Sequence, residues 1–161
     1  MIKSAVRLAT TTTLPSYTYN ASVITATSNG ALTLDSIIVA AGDRVLIKDE
    51  GGFPSHNGVY SVTASGDASH PFILTRATDF NSASNIVEGC LVPVVYGSIN
   101  ANTLWEMNAN NSSGASPFTL DTSQILFTSI AAATASSSPT RHGSIRCSSG
   151  PPAPSRNLNA F

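Results

Sequence analysis

Charge is scarce in this chain. Eight Lys and Arg stand against nine Asp and Glu, a formal net charge of −1, so the molecule as a whole lacks the electrostatic footprint of a nucleic-acid binder. Cysteine is limited to Cys90 and Cys147, with no CxxC or Cys/His spacing, which removes the zinc knuckle and the disulfide-stapled miniprotein from consideration. A bridge between the two is left open by their placement. The expectation is a buried, inert thiol at Cys90 and an unpaired one at Cys147.

Long apolar runs are also missing, so no membrane span is expected. The opening "MIKSAVRLATTTTLPS" lacks the continuous apolar core of a secretory signal, and the chain is expected to be made and folded in a cytoplasm. Asn20-Ala21-Ser22 and Asn111-Ser112-Ser113 fit the glycosylation pattern and read, without a secretory route, as turn polarity.

The chemistry-bearing patterns are absent as well. There is no HExxH, no GxSxG and no P-loop, and the three histidines, His56, His70 and His142, fall in a loop, a turn and the tail. None sits on a strand beside a matching acid. Asp43, Asp49, Asp79 and Glu88 lie at strand ends, where such residues hydrogen-bond their own turn backbone. Arg76 and Asp79, in "LTRATDF", are close enough in sequence to pair across a local turn and fix a strand exit. No repeated Asp spacing argues for calcium. No cofactor, no metal and no catalytic residue is expected, and the chain reads as a non-enzyme.

What the sequence does have is Thr, Ser, Ala, Val and Asn in short alternating runs. That composition suits strands and polar turns, and the length suits one domain plus tails. Strands are expected at Ala5–Ala9, Val23–Ala26, Ala31–Leu34 and Ile37–Val39, with Asn29-Gly30 as a tight hairpin turn. Val45 and Ile47 alternate with Arg44 and Lys48, but Leu46 makes the run apolar on both sides and marks a central strand. Asn57-Gly58 is a turn signal ahead of a strand at Val59–Thr63, and Asp49–His56 is a surface loop. Further strands are expected at Phe72–Arg76, Gly89–Tyr96, Leu104–Met107 and Ile125–Ser129, with Pro93 at an edge or bulge. Turn signals about every ten residues are the signature of a sandwich or barrel. The fold class is therefore all-β, a small antiparallel sandwich or barrel-like domain with extended arms. Its expected parts are an N-terminal arm at 1–15, a β-domain at 16–132 and a Ser/Pro-rich C-terminal arm at 133–161.

Every acidic residue lies between Asp35 and Asp121, whereas Arg141, Arg146 and Arg156 stand in the tail without an acid. A basic tail of this kind suits an acidic neighbouring copy. Trp105, Tyr60, Phe80 and Phe72 read chiefly as core, and secondarily as a platform for stacking sugars.

Five segments occur in a telling order: "GDRVLIKDE" at Gly42–Glu50, "NGVYSVT" at Asn57–Thr63, "LTRATDF" at Leu74–Phe80, "VEGCLVPVVYGS" at Val87–Ser98 and "NTLWEM" at Asn102–Met107. Together with the opening "VRLATTTTLP" they resemble a β-module of tail-fibre, baseplate and other virion structural proteins of tailed bacteriophages, over roughly residues 5 to 130. The resemblance implies a non-enzymatic virion component that forms a trimer or a higher ring with copies of itself and with other virion proteins. It carries over no active-site residues. Structural roles are expected for Arg76, Asp79, Trp105, Asn57 and Gly58, and intersubunit contacts for Leu8, Arg141, Arg146, Arg156, Leu158 and Phe161. The alternatives are a capsid-decoration or head-fibre protein, and a receptor- or carbohydrate-binding module. In the latter, the loop Gly51–His56 and the excursion Asn81–Asn85 touch a host-surface glycan.

Overall fold

The computed structural model describes residues 1–108 and 118–130. It is all-β, with eleven strands in chain order: β1 (Leu8–Ala9), β2 (Tyr17–Asn20), β3 (Val23–Ala26), β4 (Thr33–Leu34), β5 (Ile37–Ile38), β6 (Arg44–Ile47), β7 (Gly58–Ala64), β8 (Ile73–Arg76), β9 (Leu91–Val94), β10 (Thr103–Asn108) and β11 (Leu126–Ile130). A single 3₁₀ turn, Pro54–His56, interrupts the loop before β7. The central sheet runs β1-β6-β7-β8-β3-β2, a second runs β11-β10-β9, and β4 and β5 pair alone. All pairs are antiparallel except β1 with β6.

Around β6 the central sheet is buried on both faces, and the apolar pattern of that strand explains how. Val45 and Ile47 join a core with Leu8, Leu32, Leu34, Val39, Tyr60 and Leu74, which the β4–β5 hairpin helps to cover. Leu46 points the other way, into a second core with Val59, Phe80, Cys90, Val92, Val94 and Met107, where the three-stranded sheet packs. Strand periodicity puts alternate side chains on opposite faces, so a strand apolar at three consecutive positions needs a layer on each side.

The N-terminal segment is not an arm. Lys3 N–H donates to the Leu91 carbonyl and Val6 N–H to that of Pro93, alongside β9. A few residues later Arg7 N–H donates to the Arg44 carbonyl and Thr10 N–H to that of Leu46, alongside β6. The same segment therefore stitches the two sheets together. Leu8, expected at an intersubunit contact, is instead fully buried in the chain's own core, because its strand pairs with β6 and its side chain packs into the cluster of Val45 and Leu34.

Pro93 is on β9, the edge strand of its sheet. Leu91 N–H donates to Met1 and Val95 N–H to Val6, so the six residues Met1–Val6 run against the five residues Leu91–Val95. The N–H that Pro93 lacks falls in that bulged interval, where no ladder bond is needed.

Two tight turns carry paired positive φ values: Ala21 and Ser22 (46° and 67°) between β2 and β3, and Asp35 and Ser36 (46° and 67°) between β4 and β5. Asn29-Gly30 does not turn a hairpin, since β3 pairs with β2 and β8. No helix among the described residues is long and apolar enough to cross a membrane.

Candidate functional site

The densest set of polar and aromatic side chains gathers where β2, the loop after β6, the end of β8 and Asp121 meet. Its centre is Arg76, whose side chain is fully buried. Nη1 donates to the Asn57 carbonyl (2.9 Å), Nη2 to the Ser55 carbonyl (2.6 Å) and Nε to the Tyr19 hydroxyl (3.1 Å). Tyr19 in turn donates to the Asp121 carboxylate, which lies 3.6 Å from Arg76 Nε. The guanidinium also sits 5.1 Å from the Tyr60 ring centroid. A buried cation needs partners, and here two backbone carbonyls and a phenol give each guanidinium nitrogen a hydrogen bond while a nearby carboxylate balances the charge.

The loop Asp49–His56 is tied down residue by residue. Glu50 Oε1 accepts from Leu14 N–H (2.6 Å), Oε2 accepts from the Tyr17 hydroxyl (3.0 Å), and Glu50 N–H donates to Asn57 Oδ1 (3.0 Å). Asn57 Nδ2 donates to the Ile125 carbonyl (2.9 Å). Tyr17 oxygen is 3.0 Å from His56 Nδ1. Because the single phenolic proton goes to Glu50, Nδ1 of His56 must be the donor, which fixes the tautomer.

The His56 ring stacks on Tyr19 (centroids 3.9 Å, 13° between planes) and on Phe53 (5.1 Å, 13°). Burial, helped by Arg76, holds the His56 pKa below its ordinary value. Burial pushes the Tyr17 phenol up, reinforced by Glu50, and burial does the same at Tyr60. Burial, followed by the hydrogen bond to Asp121, raises Tyr19. The phenols stay protonated and the imidazole neutral, a state suited to holding a loop in place. Among the described residues no buried side-chain nitrogen or oxygen lacks a partner, and no three His, Cys, Asp or Glu converge as a metal site.

Beside this cluster opens a cleft of about 340 Å³ between the Thr13–Tyr17 segment and the loop residues Glu50, Gly52 and Phe53. Phe53 is 61% exposed. A smaller hollow of about 230 Å³ lies near Pro15, Asn29 and Phe72.

The structure re-partners the expected ion pair. Asp79 accepts two bonds from Arg44 Nη2 (2.7 and 2.6 Å), and Arg76 faces Asp121 instead. Asn57-Gly58 is not a turn but a buried junction, with Gly58 opening β7 at φ 149°. Tyr60, Phe80 and Phe72 are core and form no platform. Trp105 is only half-buried on β10, bonded through Nε1 to Thr103 Oγ1 (2.9 Å), with Lys48 Nζ 4.2 Å from its ring. The Asn81–Asn85 excursion is fastened to itself by the Asn85 amide and to the N-terminal segment by Lys3, which donates to the Asp79 and Asn85 carbonyls. Cys90 is buried, and burial raises its thiol pKa. Cys147, Arg141, Arg146, Arg156, Leu158 and Phe161 lie outside the described residues.

Sequence reasoning missed Tyr17, Tyr19, His56, Glu50 and Asp121 as one cluster. The only local signal was the Gly51-Gly52 and Pro54 breaker pattern, which marked the loop and not its partners. No family model, curated protein or solved structure matches the chain.

Proposed function

We propose that this chain is a non-enzymatic structural subunit of a tailed-bacteriophage virion, a tail-fibre, baseplate or adaptor component. In this reading it assembles in the host cytoplasm with copies of itself about a symmetry axis and with neighbouring virion proteins. The observation that carries the reading is the placement of the five segments that resemble the virion β-module. They supply β6, β7 and β8 of the central sheet and β9 and β10 of the sheet packed on it, and several of their residues hold the scaffold in place. Arg44 clasps Asp79, Asp43 accepts from Ala40 N–H, Glu50 pins Leu14, and Gly58 leaves room for Arg76. Residues that serve the scaffold in this way suit a module repeated for its shape.

Surface features favour association. Tyr96 and Ile99, in the loop after β9, are 57% and 74% exposed, an apolar area that a subunit contact would cover. Among the described residues β2 and β11 end their sheets, so both offer ladder groups to a neighbour.

Light scattering on the full chain and on a chain ending at residue 132 tests the assembly. The full chain is expected to form a defined oligomer, and the shortened one to keep its fold while associating more weakly. A full chain monomeric at high concentration would overturn self-assembly.

A further inference from the structure

We propose that the cleft beside Phe53 is a binding site for a single neutral pyranose. Phe53 is a large apolar side chain left in water on a loop that is anything but loose. Phe53 N–H donates to the Glu50 carbonyl, His56 N–H to the Phe53 carbonyl, and Ile125 N–H to the Pro54 carbonyl, while Arg76 holds Ser55. One face of the Phe53 ring is backed by His56, which is itself backed by Tyr19 on β2. The ring is therefore stacked on a fixed support while most of the residue stays in water, so little ordering entropy is lost when a flat apolar partner settles on it.

The rest of the cleft supplies the complementary polar groups. Thr13 and Ser16 bring hydroxyls, Tyr17 brings a phenol oxygen, and Glu50 lines the floor. Each Glu50 oxygen has one internal donor, from Leu14 or from Tyr17, and a carboxylate oxygen accepts two. Glu50 is only 4% exposed, so its spare acceptor capacity is offered only to a hydroxyl that enters the cleft it lines. A pyranose presents an apolar C–H face and a rim of hydroxyls, which matches an aromatic plane edged by acceptors. The Glu50 charge disfavours uronates and other acidic sugars. A volume of about 340 Å³ suits one ring and not an extended chain.

The inference is independent of the assembly reading, since a fibre or baseplate subunit needs no sugar site and a sugar site needs no virion. The test is an amide-resolved NMR titration of the full chain with the methyl glycosides of glucose, galactose, mannose and N-acetylglucosamine. Methyl glucuronide and cyclohexanol serve as comparisons. At least one neutral glycoside is expected to shift the amides of Gly52, Phe53 and Ser16 at millimolar concentration, and the glucuronide to bind more weakly. Phe53→Ala, a change at an exposed position, is expected to weaken binding about tenfold with the remaining spectrum unchanged, and Phe53→Trp to restore it. Three results would overturn the proposal: no glycoside shifting those amides, Phe53→Ala binding undiminished, or cyclohexanol binding as tightly as the best glycoside.

Discussion

A Cβ on Gly58 would stand 2.2 Å from Nη1 of Arg76 and 3.0 Å from the Phe80 ring, so the missing side chain of one residue is the seat of the other's guanidinium. Gly58→Ala is expected to destabilise the fold by about 3 kcal/mol, through overpacking and through the positive φ that alanine resists. Urea unfolding measures it. A loss under about 0.5 kcal/mol, the size of an ordinary surface change, would contradict this packing.

Arg76 and Asp121 separate two ways of holding a buried cation. Arg76→Met removes the donors that serve the Ser55 and Asn57 carbonyls and should cost about 3–5 kcal/mol. Asp121→Asn removes the charge 3.6 Å from Arg76, on a side chain 34% exposed, but keeps an oxygen to accept from Tyr19, and should cost less than about 1 kcal/mol. Equal losses in the two variants would place the stabilisation in the ion pair and not in the carbonyl bonds.

The N-terminal segment is expected to behave as part of the sheet. Leu8→Ala leaves a cavity between β6 and the β4–β5 hairpin and should cost about 3 kcal/mol. Amide exchange offers a second check. Val6 and Thr10, bonded to β9 and β6 respectively, should be protected to nearly the level of the core strands. Rapid exchange at both would show that the segment detaches.

Much of the framework was legible in the sequence because it follows from local pattern. The two-sided apolar run at Val45-Leu46-Ile47 needs a layer on each face, and Pro93 needs an edge. Both requirements hold whatever the rest of the chain does. Pairing was less legible. The paired positive φ values stand at Ala21-Ser22 and Asp35-Ser36, which carry no glycine, whereas Asn29-Gly30 and Asn57-Gly58 turn no hairpin. Sheet order decides which connection must be tight, and order is not a local property. The same reason hid the site. Arg76 and Asp79 are three residues apart yet face different partners, while Tyr19 and Asp121 meet across |i−j| = 102.

Stability should peak between neutral pH and the tyrosine range. The folded-state pKa of His56 lies below its ordinary value, so from about pH 6.5 downward the unfolded chain binds the extra proton and stability falls with acidification until His56 charges in the fold as well. The phenols of Tyr17, Tyr19 and Tyr60 are shifted upward. Above about pH 10 the unfolded chain gives up protons that the fold retains, and stability falls again. The urea midpoint measured against pH should show both limbs, and His56→Gln should flatten the descent near pH 6. An unchanged acid limb in that variant would assign it to other groups.

If the chain is a virion subunit, as proposed, an antibody against it labels purified tailed-phage particles, and immunogold electron microscopy tests that claim most directly. Label on the intact particle is the predicted result, at the tail tip for a fibre or baseplate subunit and over the head for a decoration protein. No label, even on particles opened to expose their denatured proteins, would contradict the virion assignment.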